Sequence, residues 1–244
     1  MKKPIRIAQK MGKLQAGGVE MVVFNYYRFI DKTKIQFDFF YDADSTAKPP
    51  KDLIDMGARF YKISPYQKLP QYIRELRKYF EENHYLVVHS HLNTLSVFPL
   101  FAAWMSHVPI RIAHNHSVPG GNEFGRDMLK YFLRLFAKIF STDYFACSEK
   151  AGRWMFGNRA FESGQVFIVK NATDSFNDVI KAASDWDSIY VSKIDSAIKR
   201  NEALVKTMNE MVAALSGMNS IDYSKYENAI DSRSTETANN IIST

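Results

Sequence analysis

The chain has 244 residues, 46% hydrophobic and 24% charged, a globular composition that excludes a disordered or collagen-like protein. A single cysteine, Cys147, excludes an intramolecular disulfide framework and a multi-cysteine zinc site, and points to a reducing, cytoplasmic setting. The formal net charge of +6 is modest, no apolar run reaches the ~18 residues of a membrane-spanning helix, and the basic N-terminus lacks the long apolar segment of a signal peptide.

Ile5–Ala8 reads as a first buried strand, Gly12–Gly18 as a loop and Val19–Ile30 as a helix. Ile35–Tyr41 is a second strand, Asp52–Met56 a short helix and Phe60–Ile63 a third strand. Leu69–Glu82 is amphipathic and helical, Tyr85–His89 a fourth strand, and Leu95–Ser106 an apolar helix. Ile110–His114 is a fifth strand and Arg126–Phe140 a long helix. Asp143–Cys147, Glu149–Phe156 and Val166–Val169 read as strand, helix and strand. Strand and helix alternating at this spacing predict an α/β fold, a parallel Rossmann-like sheet with helices on both faces. Such sheets bind ligands at the carboxyl ends of their strands.

The character of the sequence changes near Asp174. Residues 1–174 hold 25 Lys+Arg and 16 Asp+Glu, a net of +9; residues 175–244 hold 7 and 10, a net of −3. All 8 prolines and 10 of the 11 glycines precede the change. The expected organisation is therefore a domain over 1–174 and a helical tail over 175–244. In the tail Val191, Ile194, Ile198, Asn201, Val205, Met208, Val212 and Leu215 form a heptad-like stripe, which suits homo-oligomerisation through 191–215. Ser220–Thr244 is polar enough to be frayed.

Four features could carry chemistry. In Gly12-Lys13-Leu14-Gln15-Ala16-Gly17-Gly18-Val19-Glu20, glycines precede a helix whose N-terminal N–H groups and dipole suit a phosphate. The pattern is neither a P-loop nor GxGxxG, and a tight turn with a helix cap explains it equally well. His89-Ser90-His91 and His114-Asn115-His116 lie at strand ends, on the ligand side of the sheet. They admit a zinc site, as in a metal-dependent hydrolase, a substrate contact, or plain hydrogen bonding at loop starts. Asp42-Ala43-Asp44 reads as a turn, and Glu202 with Glu210 as solvated helix carboxylates. Arg126, Lys130, Arg134 and Lys138 recur every four residues beside apolar positions, which suits an anionic membrane surface or a core helix with a solvated stripe. The basic residues are otherwise scattered and no nucleic-acid reading module is present.

Five motifs in chain order carry a resemblance. They are Ala16-Gly17-Gly18-Val19-Glu20, Ile35-Gln36-Phe37-Asp38-Phe39 and Arg111-Ile112-Ala113-His114-Asn115-His116-Ser117, then Phe145-Ala146-Cys147-Ser148-Glu149-Lys150-Ala151-Gly152 with Trp154-Met155-Phe156-Gly157, and Lys170-Asn171-Ala172. Together they resemble the N-terminal domain of a GT-B glycosyltransferase of the family 4 type, most similar to capsule and exopolysaccharide enzymes. The resemblance implies that Gly17 and Gly18 approach the donor diphosphate and that His116 or His114 contacts the transferred sugar. It implies that Ser148 and Glu149 open a helix facing the cleft, that Asn115 belongs to the binding set, and that Asn171 lies at the hinge into a second domain. It further implies transfer from a nucleotide-sugar without metal or other cofactor, onto a lipid-linked glycan acceptor, by a cytoplasmic protein peripheral to the inner membrane face.

The resemblance stops just after Ala172, where a second, nucleotide-binding domain is expected. Two such domains need roughly 350–400 residues. The expectation is a truncated transferase, weakly active or inactive alone. The alternatives are a non-enzymatic, oligomerising half of a split transferase and the histidine-based hydrolase.

Overall fold

The structure, a computed structural model, describes residues 3–15, 17–119, 124–171 and 176–217. Seven strands among them form one sheet: β1 (Ile5–Lys10), β2 (Ile35–Asp42), β3 (Arg59–Ile63), β4 (Val87–Ser90), β5 (Ile110–Asn115), β6 (Asp143–Ala146) and β7 (Val166–Ile168). Their order is β3-β2-β1-β4-β5-β6-β7 and every pairing is parallel. The chain runs outward from β1 to β3, returns to β4 beside β1, and continues outward to β7. The strand order therefore reverses between β1 and β4, where a doubly wound sheet opens its ligand crevice.

β2 is buried at all eight positions, as a parallel strand covered on both faces must be. Alternate side chains feed two cores. Ile7, Phe37, Phe39, Val87, Ile112 and Phe145 lie in the core that also takes in the buried side of α1 (Gly18–Phe29). Ala8, Phe40, Val88, Ala113 and Ala146 face α3 (Leu69–Asn83), α4 (Val97–Met105) and α6 (Glu149–Phe156). The shorter α2 (Lys51–Asp55) and α7 (Asn158–Glu162) complete the connections, α7 in a stretch the sequence pattern leaves unassigned. Gly152 lets α6 approach the sheet closely: a Cβ there would stand 3.0 Å from Val166 Cγ1 and 3.3 Å from Ala146 Cβ.

The helix expected over Arg126–Phe140 is shorter. α5 covers Phe124–Arg134. Beyond it the bonds shift to a three-residue step, Leu135 N to Phe132 O and Phe136 N to Leu133 O, so Lys138 leaves the four-residue register. The Arg126 side chain lies outside the described residues.

α8 spans Phe176–Gly217. Ala183, Trp186, Tyr190, Ile194 and Ala197 recur at three- and four-residue spacing, and all join the first core. Lys193 pairs with Asp143 at the start of β6, and the Asp31 backbone N–H donates to Asp187 at 3.0 Å. The first compact unit accordingly runs through Ala197 and the second from Ile198. The expected break at residue 174 is not where the packing changes, because an apolar face of α8 is needed to cover the sheet. Val191 and Ile194, the first stations of the heptad-like stripe, pack in or against that core. The second unit, by itself, is helical over residues 198–217, with Ile198, Leu204 and Met211 exposed. Ser220–Thr244 lies outside the described residues.

Candidate functional site

Both histidine triplets end strands at or beside the β1–β4 reversal. Gln9 pairs in register with His89, and His89 with Ile112. The period of two then sends His89, His91, His114 and His116 to the same face as Gln9. All four rings are buried, with His116 the most exposed at 8%. Trp186 of α8 covers them, its ring 5.1 Å from His89 and 6.0 Å from His91. Trp186 and Tyr190 are themselves fully buried.

Burial pushes the pKa of His89, His91 and His114 well below the ordinary value, and neighbouring imidazoles push in the same direction. For His116 burial lowers it to about 4, against an opposing hydrogen bond to the Asn171 amide oxygen. Neutral imidazole has one donor and one acceptor, so matching partners assigns the tautomers. Gln9 Nε2 donates to the Tyr190 hydroxyl at 3.1 Å, and that hydroxyl lies 2.6 Å from His89 Nδ1. With the hydroxyl donating to Nδ1, His89 carries its proton on Nε2 and donates it to His114 Nδ1 at 3.1 Å. The proton of His114 then sits on Nε2, a buried atom with no hydrogen-bond partner among the described residues.

A second arm starts from the same glutamine. His91 Nε2 donates to Gln9 Oε1 at 2.8 Å, and His91 Nδ1 accepts from His116 Nε2 at 3.0 Å. His116 Nδ1 lies 3.2 Å from the Asn171 amide. Neutral His116 satisfies that contact when the amide nitrogen faces it; protonated His116 satisfies it with the amide oxygen. His116 is thus the ring whose hydrogen-bond partner can match either of its protonation states by an amide turn.

The other candidate residues are placed as follows. Gly17 caps α1, and Gln15 and Gly17 both donate their backbone N–H groups to the Glu20 carboxylate, at 3.1 and 2.9 Å. An anion already held in the chain therefore occupies one of the donors expected to meet a phosphate, the Gly17 N–H. A Cβ at Gly18 would meet nothing within 4 Å. Ser148 caps α6 by accepting from the Ala151 N–H at 3.2 Å, and Glu149 pairs with Arg153 at 2.7 Å. Asn115 points to the opposite face, where its amide donates to the Ala151 carbonyl at 2.8 Å. The structure therefore joins His114, His116 and Asn171, and does not bring Asn115 or Glu149 to them. Gln9, Trp186 and Tyr190 were not singled out by the sequence. The four-residue step from Trp186 to Tyr190, inside a three-and-four apolar pattern, is the signal that marks them.

Asp42 pairs with the fully buried Lys10 at 2.7 Å, and Asp44 with Lys13, so the acidic turn is held by lysines. On α5, Lys130 pairs with Asp127 at 2.8 Å and Arg134 lies over the Trp154 ring at 5.6 Å. Around them Met128, Leu129, Tyr131, Phe132, Leu135 and Ile139 are all exposed, Leu135 at 74%. No described helix is long and apolar enough to cross a membrane.

Comparison with known proteins places this geometry. Residues 16–175 match the sequence profile described as Glycosyltransferase Family 4. The chain is 33% identical over 175 residues to EpsF of Bacillus subtilis (strain 168), whose name provisionally makes it a glycosyltransferase; the match covers 69% of this chain and 45% of EpsF. The chain thus spans less than half the length of that curated relative. Among solved structures, Anabaena Alr3699/HepE in complex with UDP and glucose is similar in fold, with a TM-score of 0.51 at 15% identity over 70% of this chain and 45% of that one.

Proposed function

Because the chain belongs to glycosyltransferase family 4, we propose that it forms the acceptor-side wall of a sugar transferase that draws on a nucleotide-sugar. The observation that carries this reading is His116. It ends a strand in the crevice region of the sheet, is the least buried of the four imidazoles, and meets Asn171 at 3.2 Å. In the proposed reaction His116 contacts the transferred sugar and exchanges a proton, while the Asn171 amide turns to match its protonation state. His114 is fully buried and acts behind it.

The donor diphosphate approaches Gly17 and Gly18 and displaces the Glu20 carboxylate from the N–H groups of Gln15 and Gly17. Charge at the diphosphate is stabilised there by the α1 N-terminus without a metal. Transfer by this chain alone is expected to be weak, since one wall of a cleft neither fixes the donor nor excludes water. The acceptor in this reading is a lipid-linked glycan, reached at the cytoplasmic face of a membrane. The exposed Phe132, Leu135 and Ile139 beside Arg134 and Lys138 support such a contact with an anionic surface.

The reading is tested by titrating histidine-labelled full chain with UDP-glucose and other nucleotide-sugars while following imidazole nuclear magnetic resonance. His116 is expected to shift, and His116→Gln to weaken binding at least about tenfold. Absence of any His116 response to every nucleotide-sugar overturns the reading. A second reading, self-association through the part of 191–215 that does not pack on the first core, is favoured by exposed Ile198, Leu204 and Met211. Light scattering showing a monomer at all concentrations removes it.

A further inference from the structure

The histidine cluster has a feature beyond the sugar contact proposed for His116. His89, His91 and His114 each offer a ring nitrogen, and the three nitrogens lie within 4.8 Å of one another. We propose that these three side chains bind a single late first-row transition-metal ion of the Zn2+ class, beside the Trp186 and Tyr190 rings that pack on them.

Three observations support the assignment. All three imidazoles are buried and held neutral, and neutral imidazole is the form that ligates. Two of them have the outer partner that a ligating histidine needs on its other nitrogen. His91 Nε2 faces Gln9 Oε1 at 2.8 Å, which leaves Nδ1 to ligate. His89 Nδ1 faces the Tyr190 hydroxyl at 2.6 Å, which leaves Nε2 to ligate once the proton moves to Nδ1. The third, His114, has a buried Nε2 with no hydrogen-bond partner among the described residues. No hydrogen bond is lost when that atom is deprotonated, and moving its proton to Nδ1 frees it to ligate.

The donor set also selects the ion. It is all nitrogen, with no carboxylate among the three residues. Imidazole suits Zn2+, Cu2+, Ni2+ and Co2+, whereas Mg2+ and Ca2+ demand oxygen. Binding exchanges the His89–His114 and His91–His116 hydrogen bonds for coordination and involves no group transfer. The ion takes no step in the proposed sugar transfer, although it would alter the partner of His116. A Co2+ titration reads metal binding without nucleotide-sugar, so failure of one idea is distinguishable from failure of the other.

The test uses tag-free, chelator-stripped full chain titrated with Co2+. The expected result is a 1:1 complex with the visible band of a low-coordinate cobalt site, displaced by Zn2+ and unaffected by Mg2+ or Ca2+. His114→Gln and His89→Gln should each weaken binding by more than the about 10–100-fold that loss of an outer partner costs. His84 and His107 are exposed and outside the cluster, so the double variant His84→Gln/His107→Gln should keep the band. Should the cluster variants misfold, imidazole resonance on the unmodified chain decides: Zn2+ should shift His89, His91 and His114. No 1:1 complex, loss of the band in the His84/His107 variant, or shifts confined to His84 and His107 would overturn the proposal.

Discussion

Tyr190 sets its hydroxyl 2.6 Å from His89 Nδ1 across 101 residues of chain. The hydroxyl also accepts from Gln9 at 3.1 Å, so one side chain of α8 closes a polar chain that begins on β1 and passes to β4. Burial drives the Tyr190 phenol pKa well upward, and it stays a neutral donor. The helix is therefore bonded to the strand ends as well as packed on them.

Removing that hydroxyl leaves Gln9 Nε2 and His89 Nδ1 buried without it. Tyr190→Phe is expected to cost about 1–3 kcal/mol, the penalty for stranded polar groups. Trp186→Ala removes a fully buried ring packed 4.5 Å from Tyr26 and should cost about 3–5 kcal/mol. Urea unfolding of both variants measures this. Stabilities equal to the parent would mean that α8 does not hold the histidine face.

The four imidazoles give the chain a predicted acid sensitivity. Each has a folded pKa below the unfolded value of about 6.5. The unfolded state therefore binds more protons below that pH, and stability falls as pH drops through it. At pH 5 each ring contributes up to about 2 kcal/mol of destabilisation. For His116 the fall ends near its folded value of about 4. Urea midpoints measured between pH 7 and pH 5, with chelator present, should decrease steeply. A flat profile would show that the rings are not held neutral.

Lys10 and Asp42 form a buried pair at 2.7 Å, with the lysine side chain wholly inaccessible. Burial lowers the ammonium pKa, and Asp42 opposes the shift. Asp42→Ala strands the wholly inaccessible Lys10 ammonium and should cost about 3–5 kcal/mol, whereas Lys10→Met strands the Asp42 carboxylate, whose side chain keeps 11% exposure and so some water, and should cost less. Thermal unfolding of the two variants checks the order; the reverse order would mean that the pair is not effectively desolvated.

Glu20 competes with the ligand assigned to the α1 N-terminus, because its carboxylate holds the N–H groups of Gln15 and Gly17. Glu20→Gln weakens that competition and removes a negative charge beside the proposed diphosphate. Affinity for UDP is expected to rise severalfold, with a stability loss of about 0.5–1 kcal/mol from the poorer helix terminus. Calorimetric titration showing weaker UDP binding would place the diphosphate elsewhere.

The sheet was legible because its strands are short apolar runs separated by amphipathic stretches, most of them ended by a polar or charged residue. Ile35–Asp42 is found within one residue of its expected span. What escaped the sequence depends on contacts far apart in the chain. The composition shift at Asp174 is real, yet Trp186 and Tyr190 beyond it complete a core begun at Ile7. A heptad-like stripe does not say which partner its first turns meet, and here they meet the chain's own sheet. The histidine triplets were visible as pairs of residues at strand ends. Their fusion into one network needed Gln9, whose amide is unremarkable in sequence and bonds both arms. The same limit applies to α5, where apolar residues at helical spacing suit a core and most of them lie outside it.

That exposed face yields the last prediction. Leu133 and Ala137 are buried, while Phe132, Leu135 and Ile139 are exposed beside Arg134 and Lys138. An apolar strip with cations at its edge gains free energy from both burial and charge at an anionic bilayer, and only from burial at a neutral one. The full chain should therefore sediment with vesicles containing phosphatidylglycerol, and less with phosphatidylcholine alone. Leu135→Glu adds a charge at a site 74% exposed, so it should leave stability within about 0.5 kcal/mol while cutting vesicle binding severalfold. Arg134→Gln/Lys138→Gln should remove the preference for anionic lipid and flatten the salt dependence. Equal sedimentation of parent and Leu135→Glu would show that this face does not meet the bilayer, and the acceptor would then have to reach the crevice from solution.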